Sequence, residues 1–138
     1  MPFPLRIVSI EEQVFDGEAG FLLVTGVDGE LGILAGHAPL LATLAPGPLV
    51  IKDEVGGPDR EVLFVGGGFL EVLPDRVTIL ADVAERADDI NEEHAEEARH
   101  RAQERLQGDV SAEEKLQMTQ ALEMAEARLR LARIRRNR

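Results

Sequence analysis

Short apolar runs alternate with turn residues over the first 84 residues of the chain, and this alternation predicts strands. Glycine, proline or aspartate follows the runs at spacings of about 8–12 residues, as in chains built from many short strands. The expected strands are residues 5–10, 21–25, 40–44, 49–52, 62–65, 69–73 and 77–81, and a further strand is expected within residues 29–40, before residue 40. Strands of this length and spacing predict an antiparallel β-sandwich or flattened barrel.

Four segments rich in glycine lie between these runs, and each is predicted to reverse the chain direction. They are Asp16-Gly17, Pro46-Gly47-Pro48, residues 56–59 and the triplet Gly66-Gly67-Gly68. The triplet lacks the spacing of a phosphate-binding loop, and a predicted strand rather than a helix follows it. A hairpin corner is therefore its expected structure.

The pattern changes after Ala84, where glycine and proline almost vanish and apolar residues recur every three or four positions. Residues 107–109 interrupt this helical pattern and divide it into two stripes. The stripes consist of Ala95, Ala98, Ala102 and Leu106, and of Met118, Leu122, Ala125, Leu129 and Ala132. The sequence therefore predicts an α+β chain, with an N-terminal β-sandwich domain over residues 1–86 and a C-terminal antiparallel two-helix hairpin over residues 87–138.

Both predicted helices begin at capping signals but offer little apolar surface to bury. Asp89 with Glu92, and Ser111 with Glu114, have the spacing of N-terminal capping boxes. Alanine dominates both stripes, and its small side chain gains little at about 25 cal/mol per Å² of buried apolar area. A hairpin held this weakly is expected to populate two arrangements, although a static helical lid fits the same stripes.

Composition excludes several classes of site. The chain has no cysteine, which excludes disulfides, thiolate zinc sites and cysteine nucleophiles. Residues 1–4 lack the basic and apolar regions of a signal peptide, and no apolar run reaches the ~18 residues that a membrane span needs. Membrane association is therefore expected only indirectly, through partner proteins.

Charge is distributed unevenly along the chain. The net charge of −11 argues against a body that binds nucleic acid, because phosphates would be repelled. By contrast, residues 128–138 contain no acidic residue and six arginines: Arg128, Arg130, Arg133, Arg135, Arg136 and Arg138. These arginines either complement the dipole at a helix C-terminus or bind an acidic protein partner.

The stretch over residues 29–40 contains three glycines, a proline and a histidine. Asp28-Gly29 predicts a two-residue hairpin turn, since both central positions favour positive φ. Gly36 and Pro39 predict an exposed corner that presents His37. No other histidine, cysteine or matched carboxylate shares this loop, so the residues alone describe His37 as a polar tip rather than a catalytic base or metal ligand.

The other histidines do not build a catalytic or metal site either. His94 and His100 stand six residues apart, so on a helix they face different directions and do not form the i, i+4 pair of a metal site. No nucleophile, base and acid can be assembled from the sequence. We therefore expect a protein that is not an enzyme.

Three motifs in a fixed order identify a family resemblance. They are the corner stretch 29–40, residues 64–72, which read Phe-Val-Gly-Gly-Gly-Phe-Leu-Glu-Val, and residues 77–82, which read Val-Thr-Ile-Leu-Ala-Asp. Followed by a two-helix tail, these motifs resemble the epsilon subunit of bacterial F-type ATP synthases over nearly the whole chain. The resemblance implies a non-catalytic rotor subunit of the central stalk, which couples proton-driven rotation to ATP synthesis. It also implies a mobile helical arm that inhibits ATP hydrolysis.

The resemblance further implies partners and the residues that meet them. The β domain would bind the gamma subunit and, through the corner, the ring of c subunits. The implied contact residues for the ring are Glu30, Gly36, His37, Ala38, Pro39 and Leu40. The six arginines of residues 128–138 would meet an acidic loop of the beta subunits when the arm extends among the alpha and beta subunits. The complex would lie on the cytoplasmic side of the bacterial inner membrane, as a peripheral assembly.

Some bacterial members of this family also bind ATP on the folded hairpin, through the motif Ile/Leu-Asp-x-x-Arg-Ala. Here Asn91 and His94 replace the aspartate and the arginine of that motif, and Met124 replaces a supporting arginine. The remaining candidate ATP-binding residues are Glu85, Ile90, Ala95, Arg101 and Arg128. Charge-assisted contacts are the strong ones, so we expect weakened ATP affinity or none, and neither a cofactor nor a metal. A free-standing sensor that clamps a small ligand in the hairpin is the alternative function.

Overall fold

The computed structural model describes residues 1–136, with side chains up to residue 134. Its contacts separate the chain after Arg86 into a β unit and a helical unit, which are described in turn. The β unit contains β1 (Phe3–Ser9), β2 (Gln13–Ala19), β3 (Phe21–Gly26), β4 (Gly29–Ile33), β5 (Leu40–Lys52), β6 (Asp59–Leu73), β7 (Arg76–Ala81) and β8 (Ala84–Arg86). The helical unit contains a 3-10 helix (Ala87–Asp89), α1 (Glu92–Gln107) and α2 (Ala112–Arg136).

The predicted β-sandwich followed by two helices is confirmed. The strands hydrogen-bond in the order β2-β1-β7-β6-β5-β3-β4, and β8 pairs with β6. One pair departs from the antiparallel prediction, because β1 and β7 run parallel from Leu5 opposite Val77 to Ser9 opposite Ala81. The alternating residues of the strands meet in one core, whose fully buried members include Leu5, Ile7, Leu22, Ile33, Leu49, Ile51, Leu63, Leu70 and Ile79.

The glycine triplet is not a hairpin corner, and that prediction was wrong. Strand β6 runs through the triplet without a break and pairs with β8 before it and with β7 from Gly68 onward. Gly67 and Gly68 have φ of +103° and +126°, and a β-carbon on Gly68 would lie 2.1 Å from the carbonyl oxygen of Leu80. Glycine is therefore needed here because the strand bends and approaches β7 closely.

The segment Pro46-Gly47-Pro48 is likewise part of one strand and not the predicted turn. In β5, Pro46 lies opposite Gly66 and Gly47 lies opposite Val65. The proline-containing segment of β5 is thus paired with residues at and next to the glycine triplet of β6, so these two irregular segments adjoin. Sequence rules interpret each segment as a chain reversal because they consider one strand at a time.

Two further turn predictions had different outcomes. Asp16-Gly17 lies inside β2, where Asp16 pairs with Arg6 and Gly17 with Leu5, so the predicted turn there was wrong. The hydrogen-bonded pairing of β2 with β1, which extends from Phe3 opposite Ala19 to Val8 opposite Gln13, outweighs the local turn preference of the dipeptide. The turn predicted over residues 56–59 is confirmed except for Asp59, which begins β6, and it includes a hydrogen bond from Gly57 N to Glu54 O.

In the helical unit, the caps explain where the helices begin and end. Asn91, not Asp89, caps α1, since its side chain accepts a hydrogen bond of 3.1 Å from the backbone N of His94. The predicted box at Asp89 was therefore wrong, because that residue ends the 3-10 helix instead. Ser111 caps α2 as predicted, through a 3.1 Å hydrogen bond from the backbone N of Glu114. The first helix ends at Gln107, also as predicted.

The predicted stripes hold the two helices together through few apolar side chains. On α1, only Ala95 and Ala102 are buried among the described residues. On α2 the buried residues are Ala125, Ala127, Leu129, Leu131 and Ala132. Ala127 and Leu131 lie outside the predicted stripe, and α2 also contacts the 3-10 helix, which the periodicity did not predict. The interface between α1 and α2 is consequently thin.

Candidate interaction surfaces

The corner loop connects β4 to β5 at one end of the sandwich. The backbone N of His37 donates a 3.1 Å hydrogen bond to the carbonyl oxygen of Leu34, which closes the turn. Gly36 has φ of +82°, and a β-carbon there would meet nothing within 4 Å. The loop conformation, rather than crowding, therefore requires glycine at this position. The corner is open to a partner on its outer side.

His37 is held in place by a short contact with its own loop. Its Nδ1 lies 2.7 Å from the carbonyl oxygen of Ala38. A carbonyl oxygen can only accept, so Nδ1 carries the proton in this contact. No hydrogen bond or ion pair joins the ring to a carboxylate among residues 1–134. The arrangement orients a contact residue and lacks the partner that a catalytic base would need.

Other predicted corner residues surround His37 in different environments. Ala38 and Pro39 are exposed, whereas Leu40 begins β5 half-buried and packs against the core. Glu30 is exposed on β4 and lines a separate shallow depression near the turn of β3 and β4. The structure thus places Leu40 partly in a structural role.

A shallow groove adjoins the corner and adds residues that sequence reasoning missed. The N-terminal residues, the loop after β5 and the turn between β6 and β7 line it together with Gly36 and His37. Met1, Leu34 and Val55 are its exposed large apolar side chains. Their positions in the sequence are far apart, and only the strand order brings them to one end of the sandwich. No sequence signal marked Val55, which simply follows a strand.

A second exposed surface lies on the outer face of the sandwich. It consists of Val27, Leu41, Phe69 and Leu80, with exposed fractions of 57%, 71%, 51% and 55%, and is called the outer-face stripe below. Phe69 pairs directly with Leu80 on one side and with Thr43 on the other, and the backbone N of Val27 donates to the carbonyl oxygen of Thr43. Leu41, Phe69 and Leu80 thus lie on three neighbouring strands, with exposed Thr43 and Glu71 among them, and Val27 lies in the adjoining turn.

The arginines of residues 128–138 differ in their environments. Arg128 is half-buried, Arg130 is exposed, and Arg133 forms ion pairs with Glu92 and Glu96 of α1. The side chains of Arg135 and Arg136, and the whole of Arg138, lie outside the described residues. The predicted arginine surface is therefore described at three positions, and Arg133 among them is engaged by carboxylates of α1.

The candidate ATP-binding residues do not share one environment. Ala95 is fully buried, Arg101 is exposed, and Ile90 and Arg128 are half-buried. Glu85 belongs to β8, where it pairs with Phe64. Six residues separate Ala95 from Arg101, so the two lie on different sides of α1.

The start of α1 is a poor place for a nucleotide. A depression there is lined by Asn91, Glu92, Glu93 and Glu96. A helix N-terminus attracts phosphate, but three carboxylates in the first turns oppose that attraction, and the ion pairs of Arg133 with Glu92 and Glu96 offset only part of their charge. This acidic lining supports the expectation of weak ATP affinity.

Comparisons with known proteins identify the family. The profile of the beta-sandwich domain of ATP synthase delta/epsilon chains matches residues 2–87, and the profile of their long alpha-helix domain matches residues 88–133. An ATP synthase epsilon chain of Herpetosiphon aurantiacus is 45% identical over 139 residues, which cover 100% of this chain and 99% of that protein. The chain belongs to the ATP synthase epsilon chain family. It is accordingly a non-catalytic stalk subunit of an ATP synthase.

Further relatives agree with this assignment. The epsilon chain of Chromohalobacter salexigens is 54% identical over 100 residues, covering 72% of this chain and 70% of that one. A chain in the Euglena gracilis mitochondrial ATP synthase, solved with OSCP, F1 and the c-ring, has a TM-score of 0.79 at 26% identity and covers 91% of this chain and 78% of its own. A chain in the Tetrahymena thermophila mitochondrial ATP synthase central stalk and c-ring has a TM-score of 0.70 at 13% identity, with coverage of 96% and 97%, and shares the fold.

Neither described helix of this epsilon chain is both long enough and apolar enough to span a membrane.

Proposed function

We propose that this epsilon chain is a rotor subunit of a bacterial F-type ATP synthase, which couples proton-driven rotation to ATP synthesis and restrains ATP hydrolysis. One observation carries the proposal: the compact β unit, residues 1–86, presents two exposed surfaces, the corner and the outer-face stripe. A subunit that transmits torque needs two such contacts, one for each neighbouring rotor component. Its site is the cytoplasmic side of the inner membrane, reached through these partners.

The corner is proposed to contact the ring of c subunits. Its exposed residues are Gly36, Ala38 and Pro39, with His37 half-buried among them, whereas the predicted contact residue Glu30 lies in the depression that Val27 and Leu41 also line. The backbone at Gly36 is open to solvent, so the polar loops of a partner could approach main-chain atoms directly. Met1, Leu34 and Val55 extend the same surface with apolar contacts.

Replacing Gly36 by valine is expected to weaken docking on the c ring while the β unit stays folded. The substitution strains a residue with φ of +82°, but a β-carbon there meets nothing within 4 Å, so its cost in folding free energy should be about 1–2 kcal/mol. Sedimentation of the complex with c-ring liposomes measures docking. His37→Ala is the control and should change docking little, because that side chain bonds mainly within its own loop. Equal loss in both variants would contradict the backbone-based contact.

The outer-face stripe is proposed to contact the gamma subunit. Scattered exposed apolar residues are normal, but four large ones that adjoin across three strands mark an interaction surface. The stripe lies on an ordered sheet and needs no rearrangement to bind. An apolar face of a shaft protein fits these four side chains, and Glu71, which is exposed opposite Leu41, is their charged neighbour on the same face.

The double variant Phe69→Thr with Leu80→Thr is expected to lower the affinity for gamma about tenfold or more. Threonine keeps a β-branched side chain on the strand, and both sites are about half exposed, so the free energy of unfolding should change by less than about 1 kcal/mol. Copurification and surface plasmon resonance with gamma measure the effect. Leu34→Thr, at the corner, is the matched control and should leave gamma binding intact. If gamma binding survives loss of both stripe residues, the proposed rotor contact fails.

The helical unit, residues 87–138, is proposed to be the inhibitory arm. The thin alanine-rich interface of α1 with α2 leaves a small free-energy gap between folded and opened hairpin. As one straight helix, residues 89–135 would reach about 70 Å at 1.5 Å per residue, enough to enter a hexamer of alpha and beta subunits. The arginines of residues 128–138 would then meet an acidic loop of beta and block rotation in the direction of hydrolysis.

A further inference from the structure

Arg133 joins the two helices of the arm at their far end from the connecting turn. Its Nη2 lies 2.9 Å from Oε2 of Glu96, and its Nε lies 3.4 Å from Oε1 of Glu92. Glu92 and Glu96 stand one turn apart on α1, so one guanidinium spans both carboxylates. Close to the connecting turn, Arg105 pairs with Glu114. Ion pairs therefore link α1 to α2 at both ends of the hairpin.

These ion pairs matter because little else connects the helices at this end. Toward its N-terminus α1 buries only Ala95 among the described residues, and Ala102 is about two turns further on. The three members of the cluster are 44%, 30% and 41% exposed for Arg133, Glu92 and Glu96. Ion pairs this exposed are weak singly and are screened by salt, which makes them easy to release.

We propose that Arg133, Glu92 and Glu96 form an ionic latch, which keeps the hairpin folded and withholds Arg133 from an acidic partner. While Nε and Nη2 of Arg133 bind the carboxylates of α1, this edge of the guanidinium cannot bind the carboxylate of another protein. Opening of the arm is then a competition for Arg133 between the two glutamates of α1 and the acidic partner. Ionic strength changes the fraction of chains that are open. The consequence for ATP hydrolysis rests on the proposed inhibitory function, whereas the latch itself is a property of the isolated chain.

The latch is tested on the full chain by measuring the distance between α1 and α2. Because the chain has no cysteine, His100→Cys with Gln120→Cys provides two unique sites for spin labels on exposed residues. The two labels are close in the folded hairpin but about 30 Å apart along one straight helix. Glu92→Gln with Glu96→Gln should raise the opened fraction about three- to tenfold at low salt. At 1 M salt this difference from the parent should disappear.

Glu93→Gln with Glu97→Gln is the matched control. These glutamates have the same spacing and charge one residue further along α1, are exposed, and form no ion pair within residues 1–134. The control should leave the opened fraction unchanged. Equal opening in both double variants, or no opening in either, would overturn the latch. Circular dichroism verifies that each variant keeps its helices.

A second measurement separates the latch from the proposed function. In the assembled complex, the Glu92→Gln with Glu96→Gln variant retains every arginine, so opening the arm and releasing Arg133 should lower ATP hydrolysis below that of the parent. Opening in the label experiment without a change in hydrolysis would support the latch and contradict the inhibitory role of the arm. No opening with unchanged hydrolysis would contradict the latch alone.

Discussion

Replacing Gly68 by alanine is expected to lower the free energy of unfolding of the β unit by about 3–5 kcal/mol. Two costs add: the residue has φ of +126°, and its new β-carbon would lie 2.1 Å from the carbonyl oxygen of Leu80. Backbone atoms cannot rotate away as a side chain would, so β6 and β7 must separate. Amide hydrogen exchange of these two strands measures the loss.

Gly29→Ala is the control for this prediction. Gly29 has a nearly equal φ of +131°, but a β-carbon there would meet nothing within 4 Å. It should therefore cost only the conformational strain, about 1–2 kcal/mol. The difference between the two losses in free energy of unfolding measures the contribution of the close approach of β6 to β7. Equal costs would show that the bend of β6 does not depend on contact with β7.

Removing residues 87–138 is expected to raise the ATP hydrolysis rate of the assembled complex at least about fivefold. The β unit retains its own core, including the strand β8 that ends at Arg86, so assembly through the corner and the stripe should persist. Arg86 forms an ion pair with Glu61 and donates to the carbonyl oxygen of Val14, which fixes this last strand. Steady-state hydrolysis by complexes with full-length and shortened chains measures the change.

Changing all six arginines of residues 128–138 to glutamine separates charge from the mere presence of the arm. If the arm acts through an acidic loop of beta, this variant should reproduce most of the rise in hydrolysis. The Arg133→Gln change alone removes the latch, which should lower hydrolysis, and also removes one contact with beta, which should raise it. The two effects oppose each other, so the net change in hydrolysis should be small. Unchanged hydrolysis in the shortened complex would show that the arm is not inhibitory.

Sequence patterns predicted the elements of this chain better than their connections. Alternation of apolar residues marked the strands because the β unit has one core, and three-to-four spacing marked both helices. The glycine triplet was misinterpreted because the same residue permits a reversal and a close approach of two strands, and only Leu80 on β7 distinguishes them. The cap at Asn91 was missed because Asp89 has equal capping chemistry two residues earlier.

The interaction surfaces were predictable to different extents. The corner is a local feature, and its glycine and histidine are recognisable in sequence. Val55, by contrast, joins the groove near the corner only because distant loops meet at one end of the sandwich. Leu41, Phe69 and Leu80 sit in strands whose apolar character suggested core positions, and exposure could be assigned only from the strand order. The latch needed the alignment of α1 with α2, which no spacing rule supplies.

The parallel pairing of β1 with β7 governs when this protein can acquire its structure. Leu5 pairs with Val77, which is synthesised 72 residues later. The hydrogen bonds between β1 and β7 can therefore form only after most of the β unit has left the ribosome. Until then β1 can pair only with β2, and a two-stranded hairpin has only marginal stability in water. Nascent chains interrupted before β7 should consequently be substrates for chaperones and proteases, whereas those interrupted after β8 should already resist digestion.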